Sequence, residues 1–327
     1  MTKQRIEWID LAKGFGIIFI IAYHIRILPW DMPRVTAAWV PLFFFMSGLF
    51  FKRTATFKET LVSKTNSILV PFLFFYITSY GVFYLAEWVK PGLIKTQASG
   101  ILDLFTQDGY FNGPIWFLLS LYWDFLIMKV LYLVCNKTWM RVTAVLALGI
   151  IGIACAYHGQ FFPLKIPQAL SCLPFFYLGD LMRSTSLIKA EKSKVYAVVL
   201  AVGFLALALG VDWTFGHPSY NISRNLMDGN VLAMYIVILC TIFSTILFCQ
   251  AIQKLPLVSY YGKYSMVPLC LHHIVYRPIL LIFSKLPPPV DRWSTTVLTI
   301  LVIWMLIPLV VKYLPWFCGQ KPLIKSR

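Results

Sequence analysis

Acidic residues are scarce in this chain: 13 Asp and Glu stand against 29 Lys and Arg, and charged residues make up 13% of the whole, about half the share in a soluble domain. Polar stretches long enough to fold as a separate soluble module are missing too. No soluble catalytic domain is therefore expected within these residues, and the formal charge of +16 comes without the basic, aromatic module that holds a nucleic acid. Cysteine occurs seven times, never as a CxxC pair, and Cys155, Cys172, Cys240, Cys249 and Cys270 lie inside apolar runs. A disulfide framework and a zinc site are therefore not expected, and these thiols read as small buried apolar groups.

What is present is hydrophobic surface. Apolar residues account for 59% of the chain and mean hydropathy is +0.74, so the expectation is an all-α, polytopic membrane helix bundle, one domain over residues 1–327 with a short tail at 315–327. A helix needs about 20 apolar residues to span the hydrocarbon layer, and runs of that kind fall near 8–28, 36–51, 66–88, 114–135, 140–157, 166–182, 195–212, 230–252, 264–283 and 294–314. About ten transmembrane helices are expected, the second and sixth short. The first run carries Asp10 and Lys13 and lacks a small-residue cleavage site, so it reads as a retained span. Loops on the N-terminal side hold roughly twice the Lys and Arg of the opposite loops, which puts both termini in the cytoplasm. That also gives the net charge an ordinary role against anionic headgroups. The two longest connections, 89–113 and 213–229, are rich in turn formers and read as an outer rim or lid. Asn221-Ile222-Ser223 matches a glycosylation sequon on one of them.

Ionisable residues inside spans are costly and usually face a protein interior or a wet cavity. The first span carries Asp10, Lys13 and His24, the fourth Asp124, and the ninth the pair His272 and His273. With a rise of about 1.5 Å per residue, Asp10 and His24 are roughly 21 Å apart along their helix and cannot touch. Asp10 and Lys13 share a face near one surface. His24, Asp124 and His272 instead fall at comparable depth, which suggests a hydrated cavity suited to general acid–base chemistry.

Asp10-Leu11-Ala12-Lys13-Gly14 followed by His24, then "PLFFFMSGLFF" at 41–51, "IWFLLSLY" at 115–122, "LPFFYLGDL" at 173–181 and "YGKYSMVPLCLHH" at 261–273 resemble, in order and over nearly the whole chain, the type-3 membrane acyltransferase family. The branch they resemble is that of the fucose 4-O-acetylase-like sugar O-acetyltransferases. The resemblance implies transfer of an acyl group, usually acetyl from acetyl-CoA, to a hydroxyl of a sugar or glycan, free or lipid-linked, by an enzyme of the bacterial inner membrane. It makes His24 the catalytic base and the cation eleven positions earlier, here Lys13, important. Lys13 stands where many members have Arg, which keeps the charge but loses bidentate geometry. The Arg-x-x-Arg pair that serves the acyl donor in many members is replaced here by Lys64 and Ser67 within "KTNSILVP". Lys52, Arg53, Lys58 and Lys263 are further candidates for that role.

Several roles follow from the chemistry. Lys13, Lys64 and Lys263, with Ser47, are assigned to the donor, whose phosphates call for charge-assisted hydrogen bonds. The oxyanion needs donors, for which Ser47, Trp116, Tyr264 and His272 are candidates. Asp124 is the central carboxylate that could fix the His24 tautomer, or else neutralise Lys129 or Arg277. Trp116 and Phe117 follow Gly113-Pro114 and could stack on a sugar ring. A transporter or flippase would use the same intramembrane charges, though no duplicated halves are evident. A non-catalytic receptor would need none of these side chains in particular.

Overall fold

The computed structural model describes residues 6–27, 38–89, 92, 99–106, 110–189 and 193–325. The rim residues Pro91, Lys95 and Gly109, and the second span before Ala38, lie outside the described residues.

In chain order the helices are α1 (Glu7–Ile25), α2 (Trp39–Leu49), α3 (Phe57–Lys64), α4 (Val70–Val89), α5 (Asp103–Thr106), α6 (Trp116–Val134), α7 (Thr138–Tyr157), α8 (Ile166–Met182), α9 (Ser186–Lys189) and α10 (Lys194–Thr214). A two-stranded antiparallel hairpin follows, β1 (Ser219–Asn221) and β2 (Leu226–Asp228). The chain then forms α11 (Val231–Ile252), α12 (Pro256–Lys263), α13 (Met266–Phe283) and α14 (Val290–Tyr313). Among the described residues, eight helical segments are long and apolar enough to cross a membrane. The expected all-α membrane bundle is thus observed, and each of the ten runs read from the sequence has its helix. The two that fall short are α2, of 11 residues, and α8, of 17. They lie at the centre, packed on each other. Helices walled by protein need not match the thickness of the lipid.

Local chemistry sets the boundaries. Thr56 and Glu59 form a reciprocal capping box at the start of α3, with Thr56 N–H donating to Glu59 Oε2 at 2.6 Å and Glu59 N–H to Thr56 Oγ1 at 3.2 Å, satisfying two donors of the first turn. Asn230 caps α11 by accepting from Ala233 N–H at 2.9 Å. α3 runs into α4 through a π-helical turn at Thr65–Leu69, a feature that often marks functional positions.

Tight crossings between helices rest on glycine. A Cβ at Gly48 of α2 would sit 1.9 Å from the Phe176 carbonyl oxygen of α8, and one at Gly179 of α8 would sit 2.0 Å from that of Phe45. α1 and α12 meet the same way, at Gly14 against the Val258 carbonyl oxygen (1.9 Å) and at Gly262 against that of Asp10 (1.7 Å).

Polar contacts sort the loops into two ends. At one, Lys254 pairs with Glu7 at 2.8 Å and Arg53 with Asp180 at 2.8 Å. At the other, the β1–β2 hairpin lies over α7 and α8: Lys165 Nζ donates to the Ser223 carbonyl at 3.0 Å, and the Tyr157 hydroxyl donates to that of Gly229. The 213–229 connection is therefore a fixed cover on this rim. Within it the carboxamide oxygen of Asn221, the sequon residue, accepts from Ser223 Oγ at 2.8 Å.

The stretch 99–106 is tied down as well. Asp103 accepts from Ser99 Oγ at 2.5 Å, from the backbone N–H groups of Ser99 and Gly100, and from the Tyr80 hydroxyl. Burial alone would raise this carboxyl, but these hydrogen bonds outweigh it and hold it below its usual value of 3.8. A depressed carboxylate contributes stability that is fully present above its unfolded pKa and lost as pH falls through the folded one. Asp103→Asn is therefore expected to lower the melting temperature in detergent by a constant margin from about pH 5 to 8. The margin should shrink below about pH 4, where wild type loses the same contribution. A gap independent of pH down to about pH 3 would show that the carboxylate charge is not what these donors hold.

Candidate active site

Three imidazoles meet where α1 ends against α13. The His24 ring lies 5.3 Å from that of His272 and 5.2 Å from that of His273, centroid to centroid. α1 stops just beyond His24 because Arg26 turns left-handed (φ 65°) and donates its N–H back to Ala22 and Tyr23 carbonyls.

The α13 pair is fixed by hydrogen bonds. His272 Nδ1 is 2.7 Å from the Pro268 carbonyl oxygen. A carbonyl only accepts, so Nδ1 carries the proton and Nε2 presents a lone pair; that Nε2 is buried and has no hydrogen-bond partner. His273 Nδ1 donates to the Phe111 carbonyl at 3.3 Å, and its Nε2 accepts from the Tyr276 hydroxyl at 3.2 Å. Asn112 donates to the Cys270 carbonyl at 2.8 Å, pinning the loop before α6 onto α13. A Cβ at Gly113 would stand 3.5 Å from His273 Cε1, so the loop roofs the cluster.

A cavity of about 280 Å³ opens from His24. Of the residues expected from the sequence, it brings together His24, Lys13, Ser47, Lys64, Trp116 and Phe117 on one wall system, with Ser67 and Ser265 added. Lys13 and His24 sit three helical turns apart on α1, so the cavity runs about 16 Å along that helix. Its walls are aromatic and aliphatic; Phe117, for example, packs edge-on against Phe43 and Phe44 at 5.8 and 5.1 Å. Few polar groups punctuate an apolar lining, which is the usual make-up of a small-molecule site.

At its Lys64 end the cavity shares Phe50, Lys64, Ser67 and Phe125 with a wider, more polar vestibule of about 960 Å³. Lys64 Nζ stands over the Phe125 ring, 3.6 Å from its centroid, at the junction. The π turn at Thr65–Leu69 forms one wall and the C-terminal residues 319–325 another. Behind the loop that precedes α3 lies a charge network read in the sequence only as motif. Buried Asp180 accepts from Arg53 Nε at 2.8 Å and from the Tyr132 hydroxyl at 2.5 Å, while Lys129 Nζ donates to the Arg53 carbonyl at 3.0 Å. Burial would depress the Arg53 guanidinium, but the Asp180 hydrogen bond and charge outweigh it and raise its pKa.

Other expected residues stand elsewhere. Asp124 does not line the cavity. It is fully buried and neither carboxylate oxygen has a hydrogen-bond partner, so it neither orients His24 nor neutralises Lys129, whose ammonium serves the Arg53 carbonyl. Arg277 packs over Phe111 instead. Lys263 Nζ stands 5.0 Å from the centroid of the Tyr264 ring, and neither Lys263 nor Arg277 lines the cavity. His272 reaches the site through its contact with His24, and its tautomer makes Nε2 an acceptor, which is at odds with a role as oxyanion donor. Asn66 and the tail were missed: one Asn in "KTNS" and two lysines in a polar terminus carry no periodic signal.

No curated protein matches this chain, and no solved structure does. A family model described as an acyltransferase domain matches residues 6–310. With its helices crossing a membrane and that model covering nearly all of it, this chain belongs to the acyltransferase 3 family and is a membrane acyltransferase.

Proposed function

We propose that this protein is an O-acyltransferase that moves an acyl group, acetyl in the first instance, from acyl-CoA to a hydroxyl of a sugar or glycan, with His24 as general base. The observation that carries this reading is a single cavity lined by His24 at one end and by Lys13 and Lys64 at the other, continuous with a wide polar vestibule. Such a shape suits a donor with a phosphorylated head and a slender thioester arm. The head meets lysines, and the arm enters the apolar passage towards the imidazole.

His24 takes the proton of the acceptor hydroxyl as that oxygen attacks the thioester carbonyl. The new C–O bond forms, the tetrahedral oxyanion collapses with rupture of the C–S bond, and the imidazolium returns its proton to the departing thiolate. Ester and free thiol are the products, and His24 is regenerated. His272 Nε2 supplies the acceptor that the transient His24 imidazolium needs. Ser47 and Trp116, both lining the cavity, carry N–H or O–H donors for the oxyanion. Trp116 and Phe117 give the sugar an aromatic face. In this reading the vestibule faces the cytoplasm of a bacterium, both termini with it, and the branch is that of the sugar O-acetyltransferases.

The test is turnover by purified protein. With acetyl-CoA and a panel of glycans, free thiol should be released in step with an acetyl ester on the acceptor. Movement of acceptor across proteoliposomes without thiol release would instead establish a transporter.

A further inference from the structure

We propose that the C-terminal tail, through Lys321 and Lys325, completes a phosphate-binding site for the nucleotide end of the acyl donor. The inference rests on the acyl-CoA reading above and adds the residues that hold its head.

The tail is a built wall. Asn66, from the π turn, grips it as a strand partner would: its Oδ1 accepts from the backbone N–H groups of Leu323 and Ile324, both at 2.7 Å, and its Nδ2 donates to the Ile324 carbonyl at 2.9 Å. Phe317 stacks on Phe74 with centroids 3.9 Å apart, and Gly319, at φ 69°, lets the chain turn so closely that a Cβ there would lie 3.0 Å from the Ser67 carbonyl oxygen. A terminus fastened at that many points has a fixed position on the rim, and it presents Lys321 and Lys325 to the vestibule.

Charge completes the argument. Lys52, Lys64, Lys321 and Lys325 line the vestibule, and the single carboxylate among its lining residues, Glu59, is committed to the α3 capping box. Among the described residues no side-chain hydrogen bond or salt bridge engages the ammonium groups of Lys52, Lys321 or Lys325; Lys321 donates only its backbone N–H, to the Pro315 carbonyl at 3.1 Å. Unpaired like charges around one polar cavity repel one another until a multivalent anion arrives, which is how phosphate sites are built. The same chemistry could come from anionic lipid headgroups. The width of the vestibule and its continuity with the His24 cavity favour the nucleotide.

The experiment uses full-length protein in a neutral detergent, with 3′-phosphoadenosine 5′-diphosphate as a binding probe and acetyl-CoA and acetyl-pantetheine as donors. Losing two charge-assisted hydrogen bonds, the variant K321Q/K325Q is expected to weaken probe binding by about tenfold or more and to raise KM for acetyl-CoA likewise. The KM advantage of acetyl-CoA over acetyl-pantetheine should largely vanish, and K321R/K325R should restore it. Unchanged probe binding in K321Q/K325Q, with acetyl-CoA still turned over, overturns the tail site and leaves the donor reading intact. So does an effect that emerges only when phosphatidylglycerol is added, because the lysines then serve lipid. Failure of wild type to use either donor overturns the donor reading and this inference with it.

Discussion

Replacing His24 with Ala is expected to lower acyl transfer by about 10²- to 10⁴-fold, the range for loss of a general base, while the protein still folds and inserts. The side chain stands at the end of α1 against a cavity, with two ring neighbours on α13 and no hydrogen bond to another described residue, so its removal leaves no buried group stranded. His272→Ala should cost less, because that ring acts through His24, and the double variant should fall little below His24→Ala alone. Groups that act as a unit are non-additive in this way. The measurements are ester formation by membranes carrying equal amounts of each variant, and melting of the purified proteins. His24→Ala with more than about a tenth of wild-type activity would remove this imidazole from the chemistry.

Much of this site was legible before any coordinates, for a physical reason: charge inside an apolar run is expensive, so it announces itself. Lys13, His24 and His272 stood out in that way and prove to be neighbours of one cavity or of each other. Asp124 stood out by the same rule, yet the rule reports depth and not direction. Its helix turns it into the packed core, outside the lining of the cavity. Lys263 stood out by its charge at the same rim as Lys13 and Lys64, and charge likewise reports no direction: its ammonium lies by the neighbouring Tyr264 ring and lines neither the cavity nor the vestibule. The tail was illegible because nothing local holds it; Asn66 grips it from more than 250 positions away in the chain. Ten helices could be counted from hydropathy, but the burial of α2 and α8 at the centre could not, since apolar residues suit protein and lipid alike.

Gly262→Ala is expected to do the second-largest damage, from a residue that touches no substrate. A Cβ there would meet the Asp10 carbonyl oxygen at 1.7 Å and the Gly14 nitrogen at 2.6 Å. Both are backbone atoms of α1, which cannot rotate aside as a side-chain tip can. The helices must part by more than an ångström, and overpacking of this kind costs about 1–3 kcal/mol or more. The displaced helix is the one that carries Lys13 and His24, while α12 leads directly into α13 with its histidine pair. A shift of about 1 Å in a catalytic group can cost 10²-fold, so kcat should fall by about that factor along with the melting temperature. Gly203→Ala and Gly210→Ala on α10 are the controls: a Cβ at either meets nothing within 4 Å, and Ala is the better helix former by about 1 kcal/mol. Those variants should melt at or slightly above wild type with full activity. Gly262→Ala matching them in both measurements would mean that the α1–α12 contact does not register the histidines, and that the site is positioned by α2, α6 and α13 alone.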